Sequence, residues 1–501
     1  MTAPALVHPG GALAAPSNAS SSRAERPLRT TGYWRHAVVA AGLALGAVGL
    51  RVHEGIPLLF PFRVVLLTSY GGLLLTLANT TPGVRREVLR APLLRLALAF
   101  FGWALVSIPF ALYPSAARAA VQAAVPTVLT MVLVLLCPPR RQALTVLHRF
   151  VFWSAVISAV MAKMAGRMSE GTRLAGVGSF DPNDLAAVLA VCVPLGMALV
   201  LRGRPLERAA ALVGTAVLVG VISLTGSRGG FIALGVSSLV FVAGQPGRRL
   251  VPVLGAAAVA GALMWQFGNA TFRERISGLF GGEQDYNYTA YSGRKAIWAR
   301  ARSYTLHHPV FGVGMANFPI AEGLECKARG IKGCIWIEPH SSYYQAFAEL
   351  GFPGGILFVS MLGVGARTAA RTWKAPKRRT PAARARHRPE WLAALVGFAV
   401  GGAFLTHAYL YLLYGLLGLI ALNDRVRRAE EAADPADPTT AGAPPDWPGS
   451  DDRPTRRTGM RGGFARAAWG TPELAPLGAP GIHANDHGGS HSPLATRSGT
   501  R

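Results

Sequence analysis

A chain of 501 residues that is 51% hydrophobic and only 15% charged, with a mean hydropathy of +0.31, falls outside the ordinary soluble enzymes, whose charged share is about 25%. The formal net charge of +26, from 51 Lys+Arg against 25 Asp+Glu, raises nucleic-acid binding. The basic residues lie mostly in short loops between apolar runs, however, which is what membrane orientation produces, so anionic lipid is the expected partner and nucleic acid is not.

In chain order, residues 1–32 are rich in Ala, Pro, Ser and Gly and read as a disordered cytoplasmic N-terminus without a cleavage site. A helix needs about 20 apolar residues to cross a bilayer. On that criterion the first nine spans lie near 36–50, 56–79, 92–112, 117–137, 144–162, 184–201, 209–227, 229–247 and 250–267, making 33–267 one membrane domain. Residues 268–352 form a long soluble segment, and a tenth span lies near 353–366. The charge-free run Trp391 to Leu422 is too long for one span; Gly401-Gly402 and His407 divide it into an expected pair of short helices. A membrane domain 353–425 and a disordered cytoplasmic tail 426–501 complete the chain.

The fold class is therefore an all-α polytopic membrane protein of about twelve transmembrane helices, with one long extracytoplasmic loop between spans nine and ten. Loops after even-numbered spans carry Arg85, Arg86, Arg90, Arg140, Arg141, Arg202, Arg204, Arg208, Arg248, Arg249 and the run from Arg367 to Arg388, and are expected to be cytoplasmic. Asp181, Arg228, Arg294, His340 and His407 follow spans five, seven, nine and eleven, so parity puts them all on the opposite face.

Arg228 is the only charge between Arg208 and Arg248, with 19 uncharged residues on either side. Its setting, Thr225-Gly226-Ser227-Arg228-Gly229-Gly230, predicts a tight turn between two helices. An arginine there either snorkels to lipid phosphate or grips a phosphate bidentately, and the glycines would let a bulky anion near the backbone. Ser292-Gly293-Arg294-Lys295 through Trp298, Arg300 and Arg302 predicts an amphipathic helix whose basic face meets lipid headgroups. Arg294 stands at its start, where helix amides also favour an anion. Glu338-Pro339-His340-Ser341-Ser342 predicts another helix start, where the dipole would keep the His340 ring neutral and able to take a proton. A single histidine is more often a surface or capping residue, and His307, His308 and His407 compete with it. Asp181-Pro182-Asn183-Asp184 reads as a capped helix start or as part of a polar site. No Cys/His or carboxylate spacing suggests a metal, and no cofactor is expected; Cys326 and Cys334, seven residues between them, could form a disulfide in an oxidising compartment.

These residues, in order, resemble the O-antigen ligase/polymerase superfamily of integral membrane glycosyltransferases over about residues 170–365. The resemblance rests on Asp181-Pro182-Asn183, Ser227-Arg228-Gly229, Ser292-Gly293-Arg294 with Trp298, Pro309…Gly312-Val313-Gly314…Asn317-Phe318 and Pro339-His340-Ser341. It implies a metal-independent, inverting transferase on the outer face of the cytoplasmic membrane. Such an enzyme takes a glycan from a polyprenyl-diphosphate carrier and passes it to an acceptor hydroxyl on a lipid core or growing polysaccharide. By match to the family pattern, Arg228 and Arg294 would bind the diphosphate, with Asp181 and Asn183 in the substrate-binding set, and His340 would be the general base. A repeat-unit polymerase is the same chemistry with another acceptor, and a protein-glycosylating enzyme is a narrower variant. The competing class is a twelve-span transporter, but that class places ionisable groups near the midplane and shows related halves; here the span centres are nearly free of charge and no half resembles the other.

Overall fold

The computed structural model describes residues 33–48, 50–169, 173–178, 180–247, 255, 261, 273, 291, 293–331, 334, 336–374 and 386–432. Prolines and glycines punctuate it. Pro82, Pro92, Pro114, Pro182, Pro205 and Pro389 each open a helix, where their fixed φ suits the first turn and no amide is lost. Gly166 and Gly226 close helices in the left-handed conformation, at φ 60° and 58°.

The helices are α1 (Tyr33–Leu43), α2 (Val64–Ala78), α3 (Pro82–Leu89), α4 (Pro92–Ser107), α5 (Pro114–Leu136), α6 (Arg141–Ala165), α7 (Pro182–Arg202), α8 (Pro205–Thr225) and α9 (Arg228–Ala243). They continue with α10 (Arg294–His307), α11 (Phe318–Ala328), α12 (Ser342–Ala370), α13 (Pro389–Gly401) and α14 (Tyr411–Ala432). A two-stranded antiparallel hairpin, β1 (Met168–Ser169) with β2 (Arg173–Leu174), pairs Met168 with Leu174. Among the described residues six helices are long and apolar enough to cross a membrane: α4 with its short extension to Phe110, α5, α6, α7, α8 and α12. α9 and α13 are apolar but shorter. The ninth span expected near 250–267, and the start of the long loop after it, lie outside the described residues.

α7 is the hub. It is the most buried of the six, 78% over its apolar window, and packs on α6, α8, α9 and α13. α5 lies against α14, and α4 against α12. The run from Trp391 to Leu422 is divided, with α13 ending at Gly401 and α14 beginning at Tyr411. The second helix is not short, though, and it continues to Ala432, past the boundary placed at 426. Charge explains the extension: Asp424 accepts from Arg427 and Arg428 one turn on and from Arg371 just past α12, while Glu430 pairs with Arg141 of α6.

α12 is broken at Gly351, which stands at φ 67°, ψ −170°. The break strips three carbonyls of their helical partners, and the Pro309–Asn317 loop and α4 satisfy them. Val313 N–H donates to Ala348 O and Gly314 N–H to Glu349 O, each at 2.9 Å, and Trp103 Nε1 donates to Leu350 O at 3.0 Å. Phe352 N–H in turn donates to Pro309 O at 2.8 Å. A β-carbon on Gly312 would strike the backbone of Glu349 and Leu350, and one on Gly351 the carbonyls of Pro309 and Val310. Asn317, fully buried, accepts from Tyr113 N–H at 2.8 Å and donates to Met315 O. The Gly-Val-Gly…Asn pattern thus locks the Pro309–Asn317 loop onto the kink in α12. Gly351→Ala should lower the thermal unfolding midpoint measurably, since a non-glycine residue held at such a φ costs about 1–3 kcal/mol before any collision; a variant that unfolds with the wild-type midpoint would contradict this role.

Candidate active site

The start of α7 is tied to the end of α8 by an arginine. Asp181 caps α7, its Oδ1 accepting the Asp184 N–H at 2.7 Å, while Asp184 Oδ2 accepts the Asp181 N–H in a reciprocal capping box. Asn183 Oδ1 accepts from Arg173 Nη2 at 2.6 Å, and Arg173 Nε donates to Thr225 O at 3.0 Å. Arg173 is buried, so β2 staples these two helix ends together.

The Thr225–Arg228 turn follows at once. Gly226 takes the left-handed conformation, and Ser227 caps α9 by accepting the Gly230 N–H at 3.2 Å. Arg228 is the first residue of α9 and is half-buried. The glycines after it do not open the backbone to an anion, as the sequence suggested. A β-carbon on Gly230 would strike Ala186 of α7, and one on Gly229 would stand 3.1 Å from Phe404 Cβ. They allow α9 to press against α7 and against the loop between α13 and α14.

That loop is held by the first turn of α12. Ser342 Oγ donates to Leu405 O at 2.7 Å and accepts the His407 N–H at 2.9 Å, Ser342 N–H donates to Gly402 O at 2.7 Å, and Gln345 Oε1 accepts the Ala408 N–H at 3.0 Å. The result places Phe404 between two arginines' segments. Arg228's neighbour Gly229 abuts Phe404 on one side, and the Arg294 guanidinium lies 6.0 Å from the Phe404 ring centre.

His340 is drawn to the same place. α12 begins at Ser342, so His340 precedes the helix rather than opening it, and it stands in the left-handed region at φ 47°. Its N–H donates to Thr406 Oγ1 at 3.1 Å, and the Thr406 hydroxyl also engages the Glu338 carboxyl. Trp298 of α10 donates to Pro339 O at 3.0 Å and stacks on Tyr344, which clamps the Arg294 helix beside His340. Burial first, then the Arg294 charge, hold the His340 pKa below the usual imidazole value, against Asp181 and Asp184, which raise it. The neutral ring is the favoured form.

His407 has a different setting. Its Nε2 meets Asp184 Oδ1 at 2.7 Å, with the imidazole almost fully buried. His307 is an exposed helix end whose Nδ1 turns back to Ser303 O at 2.8 Å, and His308 follows it, exposed. Neither joins the cluster.

The structure therefore gathers Asp181, Asn183, Arg228, Arg294 and His340 at one end of the bundle. It adds Asp184 and three residues that local patterns did not single out: Arg173, Phe404 and Thr406. Asp184 was visible as part of the capping pattern, but its contact with His407 spans 223 positions and no local pattern reports it. Among the described residues no three His, Cys, Asp or Glu side chains gather to ligate a metal.

Beside this cluster α10 is anchored by an ion pair. Arg300, placed by the sequence on a basic surface face, is instead buried and grips Glu322 of α11 through Nε at 2.8 and 2.9 Å and through Nη2 at 2.6 Å. Cys326 and Cys334 are disulfide-bonded, which ties α11 to the segment leading to His340.

Residues 213–359 match the family model described as O-Antigen ligase. This match supports membership in the O-antigen ligase/polymerase superfamily over that stretch. The matched segment runs from within α8 to within α12 and so contains Arg228, Arg294, His340 and the Gly312–Asn317 loop, while Asp181, Asn183, Asp184 and His407 lie outside it. No curated protein matches the chain. The matched family and the apolar helices together point to a membrane protein of the O-antigen ligase type.

Proposed function

We propose that this O-antigen ligase-type protein moves a glycan from a polyprenyl-diphosphate carrier to an acceptor hydroxyl at the extracytoplasmic face of the cytoplasmic membrane. The observation that carries the proposal is the Phe404 junction, which brings the Arg228 turn and the Arg294 guanidinium to one side chain while Arg294 also acts electrostatically on His340. The sidedness rests on the arginine-rich loops expected to be cytoplasmic; among the described residues Arg202 and Arg388 both pair with Glu390, at the end of α7 far from Asp181.

The chemistry follows from charge. A diphosphate leaving group gathers negative charge as the glycosyl bond breaks. Two guanidinia that contact it stabilise that departure without a metal. The neutral His340 ring takes the acceptor's proton as its oxygen attacks the anomeric carbon from the face opposite the diphosphate, which inverts configuration. Asp181 and Asn183 act as frame, since their oxygens are engaged by the helix cap and by Arg173.

A second reading places the base at His407, because the Asp184 carboxylate orients its ring as a base-orienting carboxylate would. The two readings separate by mutation. Asp184→Asn should cost less than about tenfold in transfer if His340 is the base, with His340→Asn far more damaging; the reverse order would move the role to His407.

The functional test is transfer by the purified protein from a lipid-diphosphate-linked glycan to a lipid-core acceptor or to a second repeat unit. A single addition to lipid core identifies a ligase, and a ladder of repeat units a polymerase. Recovery of unconsumed donor with every acceptor would contradict the proposal.

A further inference from the structure

The acids of the candidate site divide into those already engaged and one that is not. Asp181 caps α7 and takes the Asn183 amide, while Asp184 completes the capping box and meets His407. Glu338 is different. It lies two residues before His340 and is exposed, and among the described residues its carboxyl meets one hydrogen-bond donor, the Thr406 hydroxyl. That hydroxyl has a single proton, which it gives to Glu338, and its oxygen accepts the His340 N–H at 3.1 Å. Thr406 therefore ties the Glu338 carboxyl to the backbone of His340. The charges around Glu338 do not explain its presence. Asp184 and Asp181 act on it with the same sign, His407 alone opposes them, and no Arg or Lys pairs with it among the described residues. The sign of its charge selects a ligand. A carboxylate accepts hydrogen bonds, donates none and repels a diphosphate. It is the wrong group for the donor's anion, which Arg228 and Arg294 suit, and the right one for the hydroxyls of a sugar.

We propose that Glu338 binds the acceptor sugar, accepting hydrogen bonds from hydroxyl groups beside the one that attacks. The inference rests on the transfer reading above and adds a substrate class to it. The acceptor's terminal sugar bears free hydroxyls, and no phosphate or carboxylate, at the positions next to the nucleophile. Through Thr406 the carboxylate holds that sugar within reach of His340, in the way a few placed polar groups orient a ligand.

The test measures binding first, so that it does not depend on turnover. The full chain in nanodiscs is titrated with a short-chain prenyl diphosphate and, separately, with two phosphate-free oligosaccharides, the released repeat unit and a dephosphorylated core oligosaccharide. The wild type should bind at least one oligosaccharide. Glu338→Gln keeps the side chain's size and should weaken that binding about tenfold or more, the loss expected when a hydrogen bond to a charged group goes. The same variant should hold the prenyl diphosphate as tightly as the wild type or more tightly, because a like charge is gone; this also shows that it is folded. In transfer it should raise the acceptor KM and keep kcat within about threefold, since the contact is made equally in the ground and transition states. Unchanged oligosaccharide affinity, an equal loss of both ligands, or no oligosaccharide binding by the wild type would overturn the role of Glu338. A kcat lowered about 10²-fold at saturating acceptor would also overturn it, by moving Glu338 from binding to proton transfer. Failure of the transfer reading looks different: wild-type protein would bind the oligosaccharide and not the prenyl diphosphate.

Discussion

Arg228→Ala should lower transfer by about 10²–10³-fold, the loss seen when one preorganised donor to a developing anion is removed. The residue opens α9 with its backbone fixed by the Ser227 cap and the Gly230–Ala186 contact, so the substitution removes the guanidinium and leaves the turn intact. Arg228→Lys should recover little, because an ammonium is a point charge that cannot place two parallel N–H bonds on a phosphate. Expression level and thermal midpoint should match the wild type in both variants. Transfer at a wild-type rate by either would remove Arg228 from the site.

His340→Asn should lower turnover by about 10²–10⁴-fold, the range for loss of a general base. Asparagine is the chosen replacement because it tolerates the left-handed backbone that His340 adopts at φ 47°. The pH profile gives the sharper reading. A base works in its neutral form, and burial together with Arg294 holds the His340 pKa below its ordinary value. The acid limb of kcat/KM should therefore lie below the usual imidazole pH. In Arg294→Gln a neighbouring positive charge is gone, the imidazolium becomes easier to form, and the limb of the residual activity should move to higher pH. An unmoved limb would separate Arg294 from His340.

The sequence made some of this legible and hid the rest for physical reasons. The helix start at Asp181-Pro182 could be read because a capping carboxylate and a proline act locally. The Arg228 turn could be read because a single charge between two apolar runs has few places to go. The ordered loops on alternate spans indicated that Asp181, Arg228, Arg294 and His340 would share one end. What could not be read depends on partners far away in the chain. The glycines after Arg228 looked like room for a ligand, and only the fold shows Ala186 and Phe404 in that room. Arg300 looked like a surface charge until Glu322, on a separate helix, turned it inward. The charged stretch after Leu422 has the composition of a tail, yet its alternating acids and bases close i, i+3 and i, i+4 pairs that carry α14 onward to Ala432. Gly351 marks a break that composition alone places outside the span, whereas the structure makes residues on both sides of it one kinked element.

That two arginines serve one diphosphate is tested most directly by a double-mutant cycle on binding of a short-chain prenyl diphosphate, using Arg228→Ala, Arg294→Ala and the double variant. Each single variant should weaken binding about tenfold or more, and the double variant by clearly less than the product, since groups that share a ligand couple by about 0.5–3 kcal/mol. Unchanged affinity in the single variants, or losses that simply multiply, would mean that the two guanidinia do not meet at one phosphate group.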